Sequence, residues 1–187
     1  NFLVANFFFV VIIFAALIFA FRSYYATFKG RRVIDNIKLK IWVFGELLTK
    51  VAVARVTRTL STLLTSGVEI IESMTITAKT SGNSIIEDAV LKSRSLVQEG
   101  KPLWESWEET RRFPYMVTQM VAVGEQTGSL ATMLGKVADF YDEEVDQAVS
   151  ALVSLMEPIM IVFLGGLVGS VIVAMYLPLF DIIGKVG

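Results

Sequence analysis

The chain has 187 residues, 54% of them hydrophobic and 19% charged, with a formal net charge of −1 and neither cysteine nor histidine. Without cysteine there is no disulfide framework and no thiolate metal site. Without histidine the usual general base, the Ser-His-Asp and Cys-His arrangements and the commonest metal ligand are all missing, so the composition argues against an enzyme. A near-neutral total with no basic stripe argues against nucleic acid as a partner.

The first element is an uncharged run. Phe2 to Phe21 reads FLVANFFFVVIIFAALIFAF, 20 residues in which Asn6 is the one polar side chain. At about 1.5 Å per helical residue the run just crosses a hydrocarbon core. Its bases follow it rather than precede it, the reverse of a signal peptide, so residues 1–21 read as an internal transmembrane helix. Arg22, Lys29, Arg31, Arg32, Lys38 and Lys40 come next, and such a flank is held on the cytoplasmic side during insertion. Residues 22–49 read as a basic juxtamembrane connector whose partner is lipid, with Ile41, Trp42, Val43 and Phe44 at the interface.

Residues 50–150 carry helical periodicity almost throughout. From Lys50 to Ser66, Ala52, Val56, Leu60, Leu63 and Leu64 share one face and Arg55, Arg58, Thr62 and Thr65 another. Gly67 follows where a left-handed cap is wanted. A second helix spans Glu69 to Ser81 and ends at Gly82. Asn83 suits the N-cap of a third, with Ile86, Ala89, Val90 and Val97 inward and Gly100 as its stop. Pro102 fits the first position of a short fourth helix carrying Trp104 and Trp107. Phe113-Pro114 opens a fifth, on which Val117, Met120, Val121 and Gly124 share a face, and Gly128 ends it. The sixth starts at Ser129, repeats Leu130, Leu134, Val137, Tyr141, Val145 and Ala148, and meets no breaker before Glu157-Pro158. The reading is a six-helix antiparallel cytoplasmic bundle around one core.

A second apolar span occupies 151–180, with Glu157 its one ionisable residue. A carboxylate there is costly and calls for a partner, such as another membrane helix, or for interfacial water. Pro158 removes a backbone hydrogen bond and permits a bend. Gly165 and Gly169, with Gly166, Ser170 and Ala174, set small side chains four apart, as close helix packing in lipid requires. Pro178 closes the span, and 181–187 form a tail on the outer, periplasmic side. The expected fold is thus an all-α membrane protein, a six-helix antiparallel bundle flanked by two transmembrane helices.

Chemistry-bearing motifs are few. No phosphate-binding GxxxxGK[ST] and no GxGxxG after a strand is present, so the chain should not hydrolyse ATP itself. Asp139, Asp142, Glu143, Glu144 and Asp146 form an acidic cluster, a docking surface or a solvated face, without the spacing of a calcium loop. No cofactor and no metal is implied. A permease half would want more polar lining than Asn6 and Glu157, and a membrane sensor would want a domain between the spans on the outside.

Five stretches in fixed order carry a resemblance: RTLSTLLTSGVEI from Arg58, FPYMVTQMVAVGEQTGSL from Phe113, FYDEEVDQAV from Phe140, LMEPIMIVFLGGLVG from Leu155 and AMYLPLF from Ala174. Together they resemble the type II secretion F / type IV pilus PilC family of inner-membrane platform proteins, and the chain looks like the second half of a member. Gly67 matches the glycine ending the family's first domain helix, Phe113 and Pro114 its FP, and Gly124, Glu125, Gly128 and Leu130 its GExxGxL. Tyr141 and Glu144 lie in its acidic pre-membrane helix, Glu157 and Pro158 match its EP, and Leu177 and Pro178 its closing LP. Glu69 departs from the proline or apolar residue often found there.

What the resemblance implies is a non-enzymatic, multi-pass platform in the bacterial inner membrane, coupling a cytoplasmic hexameric motor ATPase to insertion or extraction of pilin. Its implied partners are that motor, pilin or pseudopilin membrane helices, inner-membrane alignment proteins and further copies of itself. The AMYLPLF and EPIMIV runs lean toward the pilus branch, with the secretion F protein as the alternative. Glu125, Asp142, Glu143, Glu144 and Glu157 are the expected partner-binding residues, Glu125 because a charge beside a buried turn invites a charge-assisted contact.

Overall fold

The computed structural model describes residues 27–186 together with Phe19, Arg22 and Ser23, and gives the backbone alone for Phe28, Lys29, Lys40, Trp42, Val43 and 177–186, so the interfacial placing of Trp42 and Val43 lies outside the described side chains. The predicted first span therefore lies outside the described residues except for Phe19, as does the side chain of Pro178. All secondary structure among the described residues is helical: α1 (Phe28–Lys40), α2 (Trp42–Thr65), α3 (Ile70–Thr80), α4 (Ser84–Gln98), α5 (Leu103–Thr110), α6 (Tyr115–Gln126) and α7 (Leu130–Val186). Contacts divide the chain into two units, one reaching to Val145 and the other beginning at Asp146.

In the first unit each helix from α1 to α6 packs on the next in sequence, and α1 also packs on α4. The core draws Val53, Val56 and Leu60 from α2, Met74 from α3, Ile86 and Val90 from α4, Trp107 from α5, Val117 and Val121 from α6, and Leu134 and Val137 from α7. These are the faces that the 3.6-residue spacing marks. Leu63, Leu64 and Val97 are only partly buried.

The helix ends follow from local chemistry. Gly67, Gly82, Gly100 and Gly128 all have positive φ, where a side chain would be strained. After α6, the amide of Ser129 donates to the Gly124 carbonyl at 2.8 Å and that of Gly128 to Glu125, which satisfies carbonyls the helix leaves open. Asn83 accepts from the amides of Ile85 and Ile86, as an N-cap should. Pro102 and Pro114 sit one position earlier than a first helical residue, because their ψ values of 150° and 149° keep them extended. The end of α5 has no glycine: Arg111 itself takes the left-handed conformation, with φ 52°.

Two boundaries differ from the sequence reading. The connector expected over 22–49 contains α1 and the start of α2, so the helix expected from Lys50 begins at Trp42 and the packed unit has one helix more than six. The cause is a set of polar contacts between α1 and the start of α4. The buried Asp35 accepts from the Ser84 amide at 3.0 Å, Arg32 pairs with Asp88 at 2.6 Å, and Arg31 lies 3.9 Å from Glu87. Burial alone would raise the Asp35 pKa, but the Ser84 amide and the Lys38 ammonium outweigh it and hold the carboxyl below its ordinary value of 3.8.

The second unit consists of α7 from Asp146 onward. Its large apolar residues, among them Val153, Leu155, Ile159, Val162, Phe163 and Val171, are exposed. The stretch Leu130–Tyr176 is the one helix among the described residues long and apolar enough to cross a membrane. The helix runs without a break up to Glu157, as the sequence led one to expect, and it continues through Pro158 as well.

Two outcomes follow. Arg111→Gly relieves a left-handed non-glycine residue and raises stability by about 0.5–1 kcal/mol, read as a higher thermal midpoint. Asp35→Asn lowers stability by about 1–2 kcal/mol at neutral pH. Because the folded pKa is the lower one, this contribution is full above the unfolded value and disappears as pH falls through the folded value. Unfolding curves of the two proteins should therefore converge in acid.

Candidate functional site

Helix α2 meets the first turns of α7 along a seam with two layers. The inner layer is close packing. Ser61 donates to the Ala131 carbonyl at 2.7 Å, and a Cβ added at Gly135 would lie 3.2 Å from the Ser61 hydroxyl, so glycine admits the approach. Leu60, Leu134 and Val137 are buried beside it, and Tyr141 is 7% exposed. Burial, followed by the nearby Glu144 charge, pushes the Tyr141 phenol up.

The outer layer is ionic. One guanidinium nitrogen of Arg58 lies 2.6 Å from Asp139 and 2.7 Å from Asp142. Lys50 lies 2.8 Å from Glu144 and 3.1 Å from Glu46, and these hydrogen bonds raise its pKa. The acidic cluster thus divides. Asp139, Asp142 and Glu144 are engaged by bases on α2, whereas Glu143 is exposed and makes no ion pair among the described residues. Among the described residues no group of three or more potential ligands converges to hold a metal ion. The seam can orient α7 on α2, and it leaves Glu143 for outside contact.

The GExxGxL stretch joins α6 to the start of α7. A Cβ at Gly124 would stand 2.9 Å from the Leu130 Cα, so α6 and the start of α7 come together there only without a side chain. Leu130 is partly buried against the core. Glu125, expected at a partner, is used inside the fold: its two oxygens accept from the amides of Leu103 at 2.7 Å and Trp104 at 3.0 Å. Those are the first amides of α5, which Pro102 cannot cap because it offers no side-chain acceptor. The charge-assisted contact is real, and its target is a helix start. Phe113 stacks on Trp107 with ring centroids 4.1 Å apart and planes 12° apart, so the FP pair anchors the α5–α6 turn.

In the second unit Glu157 is exposed, and Gly165, Gly166 and Gly169 have open space where a Cβ would be. Sequence reasoning missed Asp35, Lys50, Arg58 and Gly135. Asp35 carried a faint signal as the lone acid in a basic stretch. Arg58 stood on the polar face of its helix, and nothing local named its partners.

Helices throughout the described residues, one of them long and apolar, are the class that these features define. Residues 56–178 match the family described as type II secretion system (T2SS), protein F. The chain is 54% identical over 170 residues to the type IV pilus assembly protein PilC of Thermus thermophilus, covering 90% of this chain and 42% of that protein. It is 47% identical to the PilC of Myxococcus xanthus, over 91% of this chain and 41% of the relative. To the type II secretion system protein F of Pseudomonas aeruginosa it is 34% identical, over 80% and 37%. The chain belongs to the type II secretion system protein F family, and it spans about two fifths of the length of these relatives.

Glu125→Ala leaves two amides at the start of α5 without their acceptor and should cost about 1–2 kcal/mol. Glu125→Gln, which keeps an acceptor oxygen, should cost less. Hydrogen exchange at Leu103 and Trp104 checks the assignment: both amides lose protection in the alanine variant.

Proposed function

We propose that this chain is the second half of an inner-membrane platform in a type IV pilus machine, which couples a cytoplasmic motor ATPase to insertion or extraction of pilin. The observation that carries the reading is graded likeness. Identity is 54%, 47% and 45% to three proteins named for pilus assembly, against 34% to secretion F proteins. Secretion F remains the second reading, favoured by the family description itself. The role is mechanical and not enzymatic.

In this reading Phe2–Phe21 and 151–180 span the inner membrane, the helical unit between them is a cytoplasmic bundle, and 181–187 lie in the periplasm. The motor and inner-membrane alignment proteins meet the bundle, with Glu143 among the exposed contacts. Pilin helices and further copies of the chain meet the second span, where Glu157 and the Gly165–Gly169 stripe lack packing among the described residues. The α2–α7 seam is the coupling element, because whatever displaces α2 bears on the first turns of a helix that runs unbroken from Leu130 to Val186.

The test is a chimera in Thermus thermophilus, with the matching segment of its PilC replaced by this chain. Twitching and surface pili should be restored, and a folded, inserted chimera without pili refutes the pilus reading. Within it, Arg58→Ala should change stability by less than about 1 kcal/mol, since the pairs are half exposed, yet reduce piliation severalfold. Normal piliation in that variant removes the seam from the mechanism.

A further inference from the structure

Helix α1 has two unlike sides. One is fastened to α4 through Asp35, Arg31 and Arg32. The other shows Val33 at 47% and Ile37 at 55% exposure, followed by Ile41 at 47% and Phe44 at 54% where α1 passes into α2. Val33 and Ile37 stand four residues apart on one face of α1, and Ile41 and Phe44 follow in the extended link and the first turn of α2. The remaining large apolar side chains exposed among the described residues of this unit, Phe19, Ile76, Tyr115, Val123 and Phe140, are separated along the chain. A run of half-exposed apolar residues within one short stretch of chain needs a covering that scattered ones do not.

We propose that this face lies on an anionic membrane surface, with Val33, Ile37, Ile41 and Phe44 in the interfacial layer and the neighbouring bases among acidic headgroups. Charge favours lipid over an acid-free apolar partner. Between Arg22 and Glu46 stand six bases, against four carboxylates when Glu87 and Asp88 on α4 are counted with Asp35 and Glu46. Such a mixture of bases and bulky apolar residues is what an in-plane helix presents to anionic lipid. Position favours it as well. Only the residues between Phe21 and Phe28 separate α1 from the uncharged run, a reach of at most about 25 Å. The proposal rests on the reading of that run as a membrane span. Its consequence is that α1 ties α4, through Asp35, to the bilayer surface.

The absence of native cysteine makes the test direct. Single variants Ile37→Cys and Phe44→Cys, with Thr62→Cys on an exposed site of α2 as reference, are labelled with an environment-sensitive fluorophore. The full chain is placed in nanodiscs containing brominated lipid, either with phosphatidylglycerol or with phosphatidylcholine alone. Labels at 37 and 44 should be quenched about threefold more than the label at 62 in the anionic discs, falling toward the reference in the zwitterionic ones. Quenching no greater than at 62 overturns the proposal, and so does equal quenching in both lipids. Shielding from aqueous iodide without lipid quenching overturns it too, in favour of a protein occupant such as a second copy. Failure of the chain to enter discs at all defeats the membrane reading and this proposal together, whereas entry with silent labels defeats this proposal alone.

Discussion

The first amides of a helix have no partner within it, and in this protein that deficit organises the packed unit. Two short helices, α4 and α5, receive carboxylates from distant parts of the chain. Asp35 on α1 takes the Ser84 amide while Asn83 takes those of Ile85 and Ile86, so three successive donors are satisfied. Glu125 on α6 takes both Leu103 and Trp104. Each contact places negative charge where the helix dipole is positive, and each fixes one helix against another. The α1–α4 and α5–α6 arrangements therefore share one physical cause.

Packing and charge divide the labour at the α2–α7 seam. Side chains such as Leu60, Leu134 and Val137 are fully or almost fully buried, each worth about 1.5–3 kcal/mol. The Arg58 and Lys50 pairs are partly solvated, and such pairs contribute about 0–1 kcal/mol. Apolar burial holds the seam together. The ion pairs and the Ser61–Ala131 hydrogen bond set its register at little cost in stability.

The second unit poses the opposite problem. Its helix leaves almost all of its large apolar side chains exposed, and within the apolar span the one carboxylate, Glu157, is exposed as well. Family membership accounts for such a helix, since relatives named for pilus assembly and secretion match it together with the packed unit. What this chain lacks there, lipid or other polypeptides can supply.

Local features were legible in the residues alone. Helical spacing marked the inward faces of α2, α4, α6 and α7, and glycine and asparagine marked helix ends at Gly67, Gly82, Asn83, Gly100 and Gly128. Composition marked the apolar helix that α7 becomes. These signals act within a few residues, so sequence determines them directly. Only the tertiary structure decided that α1 docks, that Glu125 serves a helix start, and that Asp139 and Asp142 belong to Arg58. Those partners lie 49, 22, 81 and 84 residues apart, and no periodicity links positions so distant. Arg111 belongs with them: nothing near it asks for a left-handed residue, and the turn carrying the Trp107–Phe113 stack imposes one.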